Sequence, residues 1–163
     1  MDPLVLIRYV HLLSAFIFVS ALMAAHWNVI AARRDADWRA RAALFELNQR
    51  IGRYFALAPL LALGIAGNLL AIQLGYRMAD TPTFRIVNGL WMLQLVLLVA
   101  VEISSAGKLA ALSRAAANAT SRDDSNSADP VEWRPLLGRW RLGNAAQLVL
   151  FVVLLYFMAR PWS

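Results

Sequence analysis

Two histidines and one glutamate stand inside long apolar runs of this 163-residue chain, and their chemistry is the place to begin. His11 sits in LIRYVHLLSAF, His26 in ALMAAHWNV and Glu102 in LLVAVEISSAG. A neutral imidazole can ligate iron or another metal and can move protons near neutrality. A carboxyl in apolar surroundings demands a partner, so a residue such as Glu102 is either a functional group or half of a polar contact between helices. Cysteine is absent, which removes thiolate nucleophiles, disulfides, Cys-ligated zinc and iron–sulfur clusters. Only nitrogen, oxygen and methionine ligands remain. There is no HExxH, no P-loop, no nucleophile elbow and no Gly-rich dinucleotide fingerprint, so nothing points to an autonomous hydrolase or kinase.

The elements that must carry these groups follow from composition. Hydrophobic residues make up 60% of the chain and charged ones 16%, with a mean hydropathy of +0.54, well outside the range of an ordinary cytosolic enzyme. Four stretches, at about 4–31, 54–74, 86–107 and 142–159, each approach the roughly 20 residues needed to cross a bilayer core. The last, LGNAAQLVLFVVLLYFMA, is uncharged between Arg141 and Arg160. The first lacks a basic leader and outruns a signal-peptide core, so it is read as a retained span. The expected fold is all-α: one integral domain, a four-transmembrane-helix bundle within a lipid bilayer.

Charge placement gives the threading. Arg33, Arg34, Arg39, Arg41, Arg50 and Arg53 fall between the first two spans, and Lys108, Arg114, Arg122, Arg134, Arg139 and Arg141 between the last two. Only Arg8, Arg77, Arg85 and Arg160 fall on the other side. The positive-inside rule then places both long connections in the cytoplasm and both termini outside. The surplus of +6 is mostly this topology signal, and a nucleic-acid partner is not expected. The Ala/Arg-rich composition suits a bacterial inner membrane. Between spans 1 and 2, Trp38, Ala42, Phe45 and Ile51 recur at helical spacing among arginines, which predicts an amphipathic helix on the inner leaflet or a plain connecting helix. The run ATSRDDSNSADP predicts a flexible cytoplasmic loop over about 114–130.

Sorting polar residues by depth at about 1.5 Å per residue yields two layers. The outer one holds His11, Ser14, Asn68, Gln73, Asn88, Gln94 and Tyr156. The inner one holds His26, Asn28, Glu102, Ser105, Asn144 and Gln147, with His26 and Glu102 as a possible pair. The 15 residues between the histidines separate them by about 22 Å, so the two cannot share a metal. Each histidine is either an interface hydrogen-bonder or a ligand. Haem ligation is sensible for His11, with Met92 and Gln94 as candidate neighbours. Other partners for an iron would be an amide, a water or a second protomer in a homo-oligomer. Met23 and Met158 read as packing residues. Small residues at Ala21, Ala25, Ala62, Gly64, Ala66 and Gly67 allow helices to approach closely. Pro59 either kinks span 2 or opens its first turn.

The motif H-x-x-S-A at His11 resembles the first helix of a family of bacterial four-span membrane proteins classed as a domain of unknown function. The tail WRPLLGRWRLGNAAQLVLFVVLLYFMARP is similar to that family's last span in its Arg139, Arg141, Gly143, Met158 and Pro161. The first-helix histidine also resembles that of the HemJ-type protoporphyrinogen oxidases and of the CopD-type copper-resistance membrane proteins. The HemJ-type likeness implies haem binding at His11. That group's later lysine has no counterpart here: Gln94 stands near the place, and the sole lysine, Lys108, lies at the cytoplasmic edge. The expectation is therefore a bundle with a haem b site at His11 and a redox or haem-handling role. The alternatives are a non-catalytic structural or assembly subunit of a membrane complex, and copper handling.

Overall fold

The computed structural model describes residues 2–77, 80–120 and 130–159, and all of their regular structure is helical. Helix α1 spans Pro3–Arg34, α2 Trp38–Arg50, α3 Ala58–Gln73, α4 Pro82–Leu97, α5 Ser104–Thr120 and α6 Trp133–Ala159. Two π-helical segments, Ile51–Leu57 and Leu98–Ile103, join α2 to α3 and α4 to α5 without a break. The result is four long rods, Pro3–Arg34, Trp38–Gln73, Pro82–Ala119 and Trp133–Ala159, each long and apolar enough to cross a membrane. The chain is a multi-pass membrane protein built as an all-α four-helix bundle.

Local chemistry sets the helix ends. The Asp2 carboxylate accepts from Leu4 N at 2.9 Å ahead of Pro3, and the Asp37 carboxylate accepts from Arg39 N at 3.0 Å, each satisfying an orphan amide at a helix start. Gly75 closes α3 with φ +86°, donating to Ile72 O while Tyr76 donates to Ala71 O; this paired geometry needs the left-handed conformation that glycine adopts freely. Pro59 has no N–H for the carbonyl one turn earlier and its ring crowds that carbonyl. The π-helical turn lies immediately upstream of it and Pro59 falls in the first turn of α3, so the rod winds through the proline without a break.

The π segments also decide which face is buried. In an α-helix each four-residue step drifts about 40° around the axis, and a wider turn takes part of that drift back. Asn48, Gly52, Ala56 and Leu60 are accordingly all buried, as are Gln94, Leu98 and Glu102.

The basic connections do share one end of the bundle, but the helices reach further than the predicted spans. Residues 38–50 are not a separate surface helix lying on a leaflet: α2 continues into span 2, and its apolar face packs on α5 and α6. Trp38, Ala42 and Phe45 bury there as expected, joined by Asn48, whereas Ile51 is only half-buried. An apolar stripe fits a leaflet or a partner helix equally well, and here Leu109, Ala110, Ala117, Trp133 and Leu137 supply the partner. Of the loop expected over 114–130, residues 114–120 belong to α5, and 121–129 lie outside the described residues. Arg160 and Pro161 lie outside them as well.

Candidate functional site

At the end away from the two arginine-rich connections, α1, α3, α4 and α6 leave a cavity of about 530 Å³ between them. His11 reaches it from α1, Gly64, Gly67 and Asn68 from α3, Asn88 and Trp91 from α4, and Phe151, Leu154 and Met158 from α6. A volume of this size lies within the roughly 300–1,000 Å³ of small-molecule and cofactor sites, and the wall is predominantly apolar with a few polar groups, as such sites are.

Backbone carbonyls of α3 hold the polar side chains in place. His11 Nδ1 lies 3.0 Å from Leu63 O. A carbonyl can only accept, so Nδ1 carries the proton and Nε2 keeps its lone pair. Nε2 has no hydrogen bond among the described residues. Trp91 Nε1 donates to Leu60 O at 2.9 Å. Asn68 Nδ2 donates to Gly64 O and to Asn88 Oδ1, both at 2.8 Å, and Asn88 Nδ2 donates to Phe84 O at 3.0 Å.

The glycines of α3 make room for rings rather than for a second backbone. A Cβ at position 67 would sit 2.9 Å from His11 Cε1, and one at position 64 would collide with the Trp91 indole. Of the small residues that suggested helix–helix approach in the sequence, Gly64 and Gly67 are here the seats of two side chains, while Ala21, Ala25 and Ala66 are buried in the bundle.

Met92 and Gln94 are not brought to His11. Met92 is 48% exposed on the outer face of α4, and Gln94 is fully buried in a reciprocal pair with Gln147: Gln94 Nε2 donates to Gln147 O at 3.2 Å and Gln147 Nε2 to Gln94 O at 2.7 Å. Of the remaining outer-layer residues, Gln73 and Tyr156 are exposed. Trp91, Tyr76 and Met158 line the cavity instead, and depth sorting missed all three. Their signal was there to find, since Asn88 and Trp91 are three residues apart and therefore share a face of α4.

The inner layer forms a separate knot. His26 Nδ1 lies 3.2 Å from Asn144 Oδ1, and the Asn144 amide donates to Leu22 O at 3.3 Å. Asn144 also stands beside the Glu102 carboxyl, so the two members of the expected pair, His26 and Glu102, both adjoin Asn144. Asn28 Nδ2 donates to Asn48 Oδ1 at 2.9 Å, and Asn48 Nδ2 to Ala25 O at 3.1 Å. Gly143 permits the approach of α6, because a Cβ there would meet Val101 Cγ1 at 2.7 Å. Phe18, Leu22, Leu60, Leu63 and Leu98 pack as one apolar cluster between this knot and the cavity. A hydrated route between the two histidines, the feature a conducting protein needs, is thus interrupted by packed side chains.

No group of three or more His, Asp or Glu side chains able to hold a metal ion occurs among the described residues. A porphyrin brings its own four nitrogens and needs only an axial ligand, so one exposed imidazole nitrogen on an apolar cavity fits it, whereas a bare copper ion would need several protein ligands. Comparison with family models, curated proteins and solved structures gives no match.

Proposed function

We propose that this is a bacterial inner-membrane protein with both termini outside, which binds haem b in the cavity beside His11 and serves a redox or haem-handling role. One observation carries the reading: His11 lines the cavity with Nδ1 committed to the Leu63 carbonyl, leaving Nε2 as the ligating atom. A donated Nδ1–H fixes the tautomer and the orientation of a ligating imidazole and raises its basicity. Gly67 lets the ring lie against α3, and Trp91 provides a flat apolar wall. Met158 supplies the only sulfur in that wall among the described residues, and with His11 it would help to hold the group. Arg8, Arg77 and Arg85 are exposed at the cavity end, where cations can meet the propionates of a bound porphyrin. Haem bound there would supply one-electron chemistry. The likeness of the first helix to the HemJ-type proteins supports the same choice of residue. The absence of their lysine favours electron transfer or haem transfer over protoporphyrinogen oxidation.

The test is a visible spectrum of protein purified after haem supply during expression, with His11→Ala prepared in parallel. A b-type spectrum near one haem per chain that disappears in the variant is expected. Well-folded, colourless wild-type protein would refute the reading.

A further inference from the structure

Glu102 is only 4% exposed, in the π-helical turn of a helix able to cross a membrane. Its carboxyl lies beside Asn144, and Oε1 has no hydrogen-bond partner among the described residues. Next to it lies a cavity of about 10 Å³ bounded by Asn48, Gly52, Ala56, Ile103 and Trp140. That is about the room one water occupies, and a buried water needs polar neighbours of the kind Glu102 and Asn48 provide. The cavity sits where the two π segments meet, Gly52 lying against Ile103. Departures from α-helical winding recur at functional sites in helices.

Among the described residues no cation faces the carboxyl. Arg50 and Arg53 on the adjoining rod, Lys108 on α5, and Arg139 and Arg141 on α6 are all exposed. From α1, His26 reaches Glu102 only through Asn144, and α2 offers only the neutral Asn48. An ionised carboxylate kept from water without a cation is costly, whereas the neutral acid gains an O–H that can donate to a water. A metal ion would need a shell of free oxygens. Here Asn144 Oδ1 and Asn48 Oδ1 each already accept a hydrogen bond.

We propose that Glu102 is a proton-binding site, a neutral carboxylic acid paired with one water in the adjoining cavity and able to exchange its proton. Phe18, Leu22, Leu60 and Leu98 separate it from the cavity at His11, while Asn48, Asn28, Asn144 and His26 are the polar groups on its other side. This site is independent of any ligand at His11.

The test is infrared difference spectroscopy of the protein in lipid, reading the un-ionised carboxyl C=O stretch as pH is raised and returned. The wild type should show this band from one carboxyl per chain at neutral pH, with a shift in D2O and a reversible loss on alkalinisation. Glu102→Gln should remove it. Should that variant fail to fold, carbon-13 labelling of glutamate assigns the band in the wild type, since the other glutamates are Glu46, paired with Arg114, and Glu132, which is exposed. A band that moves with the label and titrates reversibly supports the proposal. Absence of any band at neutral pH, a band that survives Glu102→Gln, or one unchanged until the protein unfolds would overturn it.

Discussion

The two ends of the bundle are built on opposite plans. At the arginine-rich end, Trp38, Phe45, Trp133 and Trp140 pack in one buried cluster, with Trp133 edge-on to Trp38 at 5.8 Å and to Phe45 at 6.2 Å. The Arg41 guanidinium lies 4.3 Å from the Trp38 ring centre and 5.1 Å from that of Trp133, while its Nε donates to Asp35 O. That one side chain ties the corner after α1 to the start of α6. At the other end the same number of rods leaves a cavity of about 530 Å³. All four rods run on past the predicted spans at the arginine-rich end, α2–α3, α4–α5 and α6 by two turns or more, so that end can hold the bundle together without help from the other. The lesson is a division of labour: a closed end that determines stability frees the open end to keep a cavity that costs packing.

Substitutions should separate the two roles. The largest stability loss is expected at the closed end, where Phe45→Ala empties a fully buried ring position and should cost about 3–5 kcal/mol, read as a lowered thermal midpoint in detergent. At Gly143, a valine would drive atoms into Val101 and should cost about 1–3 kcal/mol by overpacking. Asn144→Leu strips the hydrogen bonds of His26 and Leu22 O, and about 1–3 kcal/mol follows for each buried group left unpaired. The open end should behave differently: Gly67→Ala pushes on the His11 ring, so it should weaken haem retention well before it lowers the thermal midpoint. The smallest effect belongs to Arg114→Ala. Its ion pair with Glu46 at 2.9 Å is substantially exposed, so about 0–1 kcal/mol is expected. A midpoint that falls as much for Gly67→Ala as for Phe45→Ala would erase the distinction.

Much of this was legible in the sequence, and the gaps have physical causes. Apolar length revealed the four spans, and charge placement the end they share. Depth sorting by rise per residue put His11 with Asn68 and Asn88, and His26 with Asn144 and Glu102. It fixed height and not azimuth, which is why Gln94 was placed near His11 while it faces Gln147, and why Met92 points outward. The π segments deepen that difficulty, because an extra-wide turn changes which residues downstream share a face. Pro59 hinted at the first of them; the second has no proline to announce it. The stripe around Trp38 showed a buried face without saying what would bury it. That answer needed the facing residues of α5 and α6, far along the chain.

The most direct test uses the two histidines against each other, with reduced-minus-oxidised visible spectra and thermal midpoints measured on the wild type, His11→Ala and His26→Ala after haem supply. The division predicts that His11→Ala loses the b-type signal with little change in midpoint, and that His26→Ala keeps the signal while its midpoint falls. Loss of the signal in His26→Ala at full folding, or its retention in His11→Ala, would contradict the account.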